Sequence, residues 1–389
     1  MKAITPKDLL SEQDLHSLDT YEYHSGTYTP FDNFMSPYYG KLAELLPMWL
    51  APNTVTIIGL LFSISAAACV VYYDPQFTGS APSWVYIWSS IANTLYMVLD
   101  CLDGKQARRL HASSPLGQMF DHGCDSLNLN FILFLNLSTC GLGQSFLAPL
   151  MFSFCMTLFA AAQLCEYYSG ILHCGSSILG VTELLIYVSA LYMYVGIFGR
   201  SIIDYPVNQY FTWIPVPITS TITLSAVVFL ILIFAFVIIF FSILFDDLKH
   251  GSHLPPHLSG NKNNSRIDYI LRILSLFELT ICSLYVLSSK YMITDTTACL
   301  FLSGFSFSLF STRSNIFHLT RKYMSPFYFG CIPLTLFSLL LFFHYDTTQY
   351  LYICVTLIVC LYLAFVCGAV KLIKEHLHIR VFHLTPKEE

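Results

Sequence analysis

The chain has 389 residues and a formal net charge of −5; 55% of its residues are hydrophobic and only 11% charged, against about 25% charged in ordinary soluble domains. That balance, with a mean hydropathy of +0.60, excludes a soluble globular domain and predicts an integral membrane protein. No basic tract or aromatic–basic interleaving supports a nucleic-acid partner, and the 13 scattered cysteines lack the paired spacing of a zinc site or a disulfide framework.

The first residues, MKAITPKDLLSEQDLHSLDT, carry several acids and no apolar core of the kind a cleaved signal peptide needs. Further on, Phe34, Tyr38, Leu42, Leu45 and Leu46 recur at helical spacing, with Lys41 and Glu44 off that face. The pattern predicts an amphipathic helix lying in the membrane interface and ended by Pro47.

Hydropathy then predicts ten spans, at about 54–73, 84–105, 121–140, 145–167, 181–199, 222–245, 267–289, 296–317, 326–345 and 350–373. The expected fold is therefore an all-α integral membrane protein of about ten transmembrane helices with an N-terminal amphipathic interfacial helix. Of the 19 lysines and arginines, only Arg200 and Lys290 fall on the side away from the N-terminus, with Arg272 and Arg313 inside spans. This bias predicts that both termini face the cytosol. The loop 246–266, rich in Gly, Pro and Asn, reads as a cytosolic connector, so its Asn263-Asn264-Ser265 acceptor pattern has no meaning there. Four regions are expected: a cytosolic N-terminal segment with the amphipathic helix at 1–46, helices at 47–200, remaining helices at 201–375, and a cytosolic tail at 376–389.

The polar stretch LDCLDGKQARRLHASSPLGQMFDHGCDS stands out between spans two and three. Asp100 and Asp103 are three apart and Asp121 and Asp125 four apart, so on helices each pair shares a face. Four carboxylates near the membrane edge repel one another unless they are coordinated. Oxygen donors without companion histidine or thiolate suit a hard ion, Mg²⁺ or Mn²⁺, and two such ions are expected. Lys105, Arg108 and Arg109 beside them suit an anionic ligand such as a diphosphate. Gly104 lets that ligand approach the backbone, and Gly117 leaves room one turn below Asp121. Salt bridges at the helix ends are the competing reading for any single aspartate.

Asp100, Asp103, Gly104, Ala107, Arg108, Gly117, Asp121 and Asp125, at their fixed gaps, match the signature of the CDP-alcohol phosphotransferase family. The stretches PMWLAPNTVTIIG, DGKQARR and SPLGQMFDHGCDS, with ten spans, resemble its eukaryotic choline/ethanolamine phosphotransferase branch. The resemblance covers most of the first 190 residues, and it implies that the helices at 47–200 are the catalytic ones and that those at 201–375 serve lipid access and dimer contacts. It implies transfer of phosphocholine or phosphoethanolamine from CDP-choline or CDP-ethanolamine to diacylglycerol or its alkyl relative, with release of CMP, in an endoplasmic reticulum or Golgi membrane and as a homodimer. It also implies that Asp100, Asp103 and Asp121 are metal ligands, with Asp125 completing the site or sitting beside the attacking hydroxyl. Gly104, Ala107 and Arg108 then line the cytidine and diphosphate pocket, with Asn53 near it. A base must take the acceptor's proton; His122 and Asp125 are the candidates, and Glu183 in GVTELL is the expected partner of His122. Leu164 stands where relatives usually carry tryptophan, which leaves head-group and acceptor preference open. Two rival readings remain: a related enzyme using CDP-diacylglycerol with inositol or glycerol phosphate, and a cation transporter whose intramembrane acids carry the ion.

Overall fold

A computed structural model of the protein describes residues 9–21, 29–170, 180–204, 223, 265–325 and 329–384. Among these the regular structure is helical. A short N-terminal helix, α1 (Glu12–His16), is followed by α2 (Pro30–Glu44), α3 (Pro52–Tyr73), α4 (Ser83–Arg109), α5 (Pro115–Cys140), α6 (Leu147–Ser169) and α7 (Val181–Phe198). After the segment outside the described residues come α8 (Ser265–Leu287), α9 (Thr296–Leu319), α10 (Ile332–Phe342) and α11 (Thr348–His376). The expected span at 222–245, the connector 246–266 up to Ser265 and the end of the tail lie outside the described residues.

Helix α2 starts at Pro30, earlier than the apolar stripe alone suggests. Thr29 and Asp32 form a capping box, each side chain accepting from the other's backbone N–H, and Pro30 has no N–H to leave unpaired. Tyr39 and Ala43 are buried against Val55 and Leu102, while Phe34, Tyr38, Leu42, Leu45 and Trp49 are exposed. The exposed row is the face expected to lie in the interface. Arg109 donates to the Ala43 and Leu46 carbonyls at 2.8 Å each, closing the orphaned C-terminal end of α2.

Among the described residues, six helices are long and apolar enough to cross a membrane: α3, α4, α6, α7, α8 from Tyr269, and α11. Helices α5 and α9 have 26 and 24 residues but carry runs of Ser, Thr, Asn and ionisable residues. They do so because they are interior: Asn128, Asn130, Ser303, Ser308, Ser311, Ser314 and Asn315 are all buried, and α9 packs against α5, α6 and α11. Between α5 and α9, Asn130 donates to Ser308 Oγ at 2.8 Å, Ser308 donates to the Ser126 carbonyl at 2.8 Å, and Ser126 meets Thr312 at 3.3 Å. Such pairing is what makes polar side chains tolerable at membrane depth. The expectation at 326–345 is corrected: α10 has only 11 residues, about 16 Å at 1.5 Å per residue, too short for a hydrocarbon core of about 30 Å.

The connections fix which ends lie together. The Tyr73 end of α3, the start of α4 and the Cys140 end of α5 meet on one side, where Asp74 accepts from Thr78 N, Gly79 N and Ser138 Oγ at 2.6–2.9 Å. Arg200 donates there to the Thr78 and Cys140 carbonyls and pairs with Asp204 at 2.7 Å. The start of α3, the end of α4 and the start of α5 meet on the opposite side. All the motif residues fall at that second end.

Candidate active site

Helix α4 runs unbroken through Asp100, Asp103, Gly104, Ala107 and Arg108 to Arg109. Helix α5 begins at Pro115, six residues before the expected span at 121, because Ser114 caps it by accepting from Gly117 N at 3.2 Å and Pro115 fits its first turn. Gly117 and Asp121 therefore sit on one helix face, one turn apart. A methyl on Gly117 would lie 3.6 Å from Asn53 Oδ1 and Ser114 Oγ, and one on Gly104 would meet only the Arg108 guanidinium at 3.6 Å. Both glycines thus border space with no backbone in it.

Asp100, Asp103 and Asp121 each offer a carboxylate oxygen within 4.8 Å of the other two. Asp100 Oδ1 is buried and accepts no hydrogen bond, while Asp103 accepts a short one from Thr56 of α3. Three carboxylates, one buried and two half-buried, one with an orphaned oxygen and none neutralised by a lysine or arginine within 4 Å among the described residues, form a donor set that fits a hard divalent cation. Asp125, on the same face of α5, accepts from the Tyr96 hydroxyl at 2.5 Å and stands beside the trio rather than within it.

His122 faces the other way. Its Nδ1 lies 2.5 Å from the Asn315 amide of α9 and 3.4 Å from Glu166 Oε2 of α6, and the ring is 4% exposed. Glu166 Oε1 accepts from Gln118 Nε2 at 3.1 Å, and Gln118 Oε1 accepts from the Tyr21 hydroxyl at 2.6 Å. Burial pushes the Tyr21 phenol up to about 12, so it remains a donor. The expected partner, Glu183, is placed elsewhere: its Oε2 accepts from Gly180 N at 3.0 Å, closing a capping turn at the start of α7. Among the described residues, the carboxylate paired with His122 is Glu166, at 3.4 Å.

The remaining motif residues are placed as follows. Asn53 is buried and donates to the Val381 carbonyl at 3.0 Å, so the segment after α11 lies over the start of α3. Lys105 donates to Ser36 Oγ of α2 at 2.9 Å. Gln106 donates to the Pro47 and Leu50 carbonyls at 3.1 Å, tethering the α2–α3 elbow. Sequence reasoning missed Thr56, Tyr96, Glu166 and Asn315. Only Tyr96 carried a local signal, one turn before Asp100; the others reach the site from helices whose packing no local pattern specifies.

A family model described as CDP-alcohol phosphatidyltransferase matches residues 49–245, a stretch that contains every residue of the aspartate trio together with His122 and Glu166. Cholinephosphotransferase 1 of Xenopus laevis is 39% identical over 209 residues, covering 53% of this chain and 50% of that protein. Cholinephosphotransferase 1 of Gallus gallus is 37% identical over 203 residues, covering 51% of this chain and 59% of that protein. Choline/ethanolaminephosphotransferase 1 of Saccharomyces cerevisiae is 30% identical over 193 residues, covering 49% of each. The chain thus spans about half the length of the curated relatives it matches.

Proposed function

The chain belongs to the CDP-alcohol phosphatidyltransferase family, and from that premise we propose that it transfers phosphocholine or phosphoethanolamine from CDP-choline or CDP-ethanolamine to diacylglycerol or alkyl-acylglycerol, releasing CMP. The observation that carries this reading is the aspartate trio of α4 and α5 set against a buried histidine on the next residue of α5. The relatives named for choline and ethanolamine phosphotransfer support the choice of head groups.

Asp100, Asp103 and Asp121 would hold Mg²⁺ or Mn²⁺, as two ions with Asp125, and such ions supply charge neutralisation for a diphosphate and its CMP leaving group. Arg108, beside Gly104 on α4, binds the donor's phosphates, and Gly104, Ala107 and Gly117 give them room. Lys105 adds positive charge on the same stretch and ties it to α2. Asn53 lies at the rim of the donor pocket. His122 takes the proton from the acceptor hydroxyl. Asp125 is the weaker candidate for that role, because one of its oxygens is already held by Tyr96. The membrane is that of the endoplasmic reticulum or Golgi, with the site and both termini on the cytosolic side, and the protein works as a homodimer among membrane lipids.

The test is CMP release by purified protein in detergent with diacylglycerol, offered CDP-choline and CDP-ethanolamine in parallel, with and without Mg²⁺ or Mn²⁺. Metal-dependent release from either donor is expected. Release only from CDP-diacylglycerol with inositol or glycerol phosphate would replace the substrates while keeping the family chemistry. Silence with every donor, together with metal flux into proteoliposomes, would overturn the enzyme reading in favour of transport.

A further inference from the structure

A second group of metal-ligating side chains lies apart from the aspartate trio. His16 ends α1 and Asp19 belongs to the single turn Ser17–Thr20 that continues it, so the two, three residues apart, share a face. His376, the last residue of α11, meets them there. Asp19 Oδ2 lies 3.2 Å from His16 Nδ1 and Asp19 Oδ1 lies 3.0 Å from His376 Nε2, while the two imidazoles stand edge to face with centroids 5.2 Å apart. One ligand atom from each of the three falls within 4.8 Å of the other two. A tetrahedral ion at about 2.0–2.1 Å from its donors needs them about 3.3 Å apart. Small side-chain rotations bring the cluster to that spacing.

The donors sit on elements that packing has already placed. Leu10, Leu15 and Leu18 are buried in the main core, and Ser11 and Asp14 close a capping box at the start of α1. Just beyond α9, Lys322 pairs with Asp14 at 3.2 Å and donates to the Leu9 carbonyl at 2.6 Å. An ion arriving at such a site has little chain entropy left to overcome. The His16 side chain is 72% exposed and that of His376 only 18%. One side of the cluster is thus walled by α11 and the other is open to water, which leaves room for a fourth ligand. The donor set also differs in kind from the trio: two imidazole nitrogens and one carboxylate oxygen suit a borderline ion, whereas three carboxylates suit Mg²⁺ or Mn²⁺.

We propose that His16, Asp19 and His376 form a zinc site, completed by water, that clips the N-terminal segment to the end of α11. The site does not depend on the phosphotransfer reading. Zn²⁺ replaces the imidazole–carboxylate hydrogen bonds with three metal bonds, and protons on the ligating nitrogens pass to solvent. The clip joins residues 357 and 360 positions apart in the chain. Tyr21, two residues beyond Asp19, donates to Gln118 of α5 at 2.6 Å, so the clip also steadies a contact between this segment and the helix that carries Asp121.

The experiment titrates Zn²⁺ into the full-length protein in detergent against a chromogenic chelator, with Mg²⁺ in large excess to fill the aspartate trio. The proteins are wild type, His16→Ala, Asp19→Asn, His376→Ala, Asp121→Asn, and His383→Ala as an exposed histidine outside the cluster. Wild type is expected to bind one ion per chain with a Kd below about 10 μM. Each of the three cluster variants should weaken binding by at least about 10-fold, and Asp121→Asn and His383→Ala should leave it within about 3-fold. Hydrogen exchange across residues 12–20 should slow when Zn²⁺ is added to wild type and stay unchanged when it is added to His376→Ala. Binding no tighter in wild type than in His376→Ala would overturn the site. Binding lost in Asp121→Asn but kept in His16→Ala would assign the zinc to the trio and overturn it equally. Tight binding without slower exchange at 12–20 would overturn the clip. The exposed His16 ring makes His16→Ala safe for folding, so that variant decides if another fails to fold. No readout uses CMP release, so failure here leaves the phosphotransfer reading standing, and failure of that reading leaves the zinc site standing.

Discussion

Asp121 is the residue on which the two faces of α5 meet: its side chain joins the aspartate trio while its neighbour His122 turns to α6 and α9. Asp121→Asn is expected to abolish transfer. In EDTA it should also raise the melting temperature, because one of three mutually repelling carboxylates is gone, and it should cancel the melting-temperature gain that Mn²⁺ gives the wild type. A variant that keeps the Mn²⁺ shift would remove Asp121 from the ligand set. Gly304 makes a different residue-scale demand. A methyl there would overlap Asn130 Oδ1 and lie 3.2 Å from Phe152 Cζ, and Asn130 is held in place by Ser126 and Ser308. Gly304→Ala should therefore pry α9 from α5 and cost about 1–3 kcal/mol, read as a lower melting temperature. The aspartates were legible because two helical spacings and a shortage of other charges made them conspicuous. Thr56, Glu166 and Asn315 were not, since a threonine at a helix start or a glutamate in an apolar run says nothing of the partner it will meet.

At the level of elements, the apolar runs marked most helices, and the misses have physical causes. The starts of α2 and α5 were read late because they are set by capping residues, Thr29 with Asp32 and Ser114 with Pro115, rather than by hydropathy. The run at 326–345 was read as a span on composition, but α10 stops at Phe342 and the chain turns at His344 in the left-handed region. The helical turns at Glu12–Thr20 dock on the end of α11, and this contact has a defined pH limit. The hydrogen bond from His16, and after it that from His376, hold the Asp19 carboxyl below its ordinary value of 3.8. A depressed carboxylate contributes above its undocked value and loses that contribution as pH falls through the docked one. Hydrogen exchange across residues 12–20 is therefore expected to stay flat as regards Asp19 from neutral pH to about 5, and to rise only below about 4. A rise already well above pH 5 would overturn the assignment of this pH limit to Asp19.

For the whole molecule, the residues packed around His122 come from both of the expected regions, 47–200 and 201–375. Asn315 reaches His122 across 193 residues of sequence, and α9 covers α5 and α6. A chain ending after Asp204 would leave Asn130, Ser126 and His122 without those partners. It is expected to release no CMP when expressed alone and to recover activity when residues 205–389 are expressed beside it; an active short chain would show that α9 is dispensable.

The polar seam between α5 and α9 also sets a timetable. Helix α5 leaves the ribosome with Asn128, Asn130 and Asn136 along its length, and the Ser308 that will satisfy Asn130 is synthesised 178 residues later. A helix of this kind gains little by meeting lipid alone, and each unpaired amide in hydrocarbon costs several kcal/mol. During biogenesis α5 must be sheltered by its earlier neighbours or by the insertion machinery until α9 arrives, so the order in which the chain is made becomes part of what allows it to be folded.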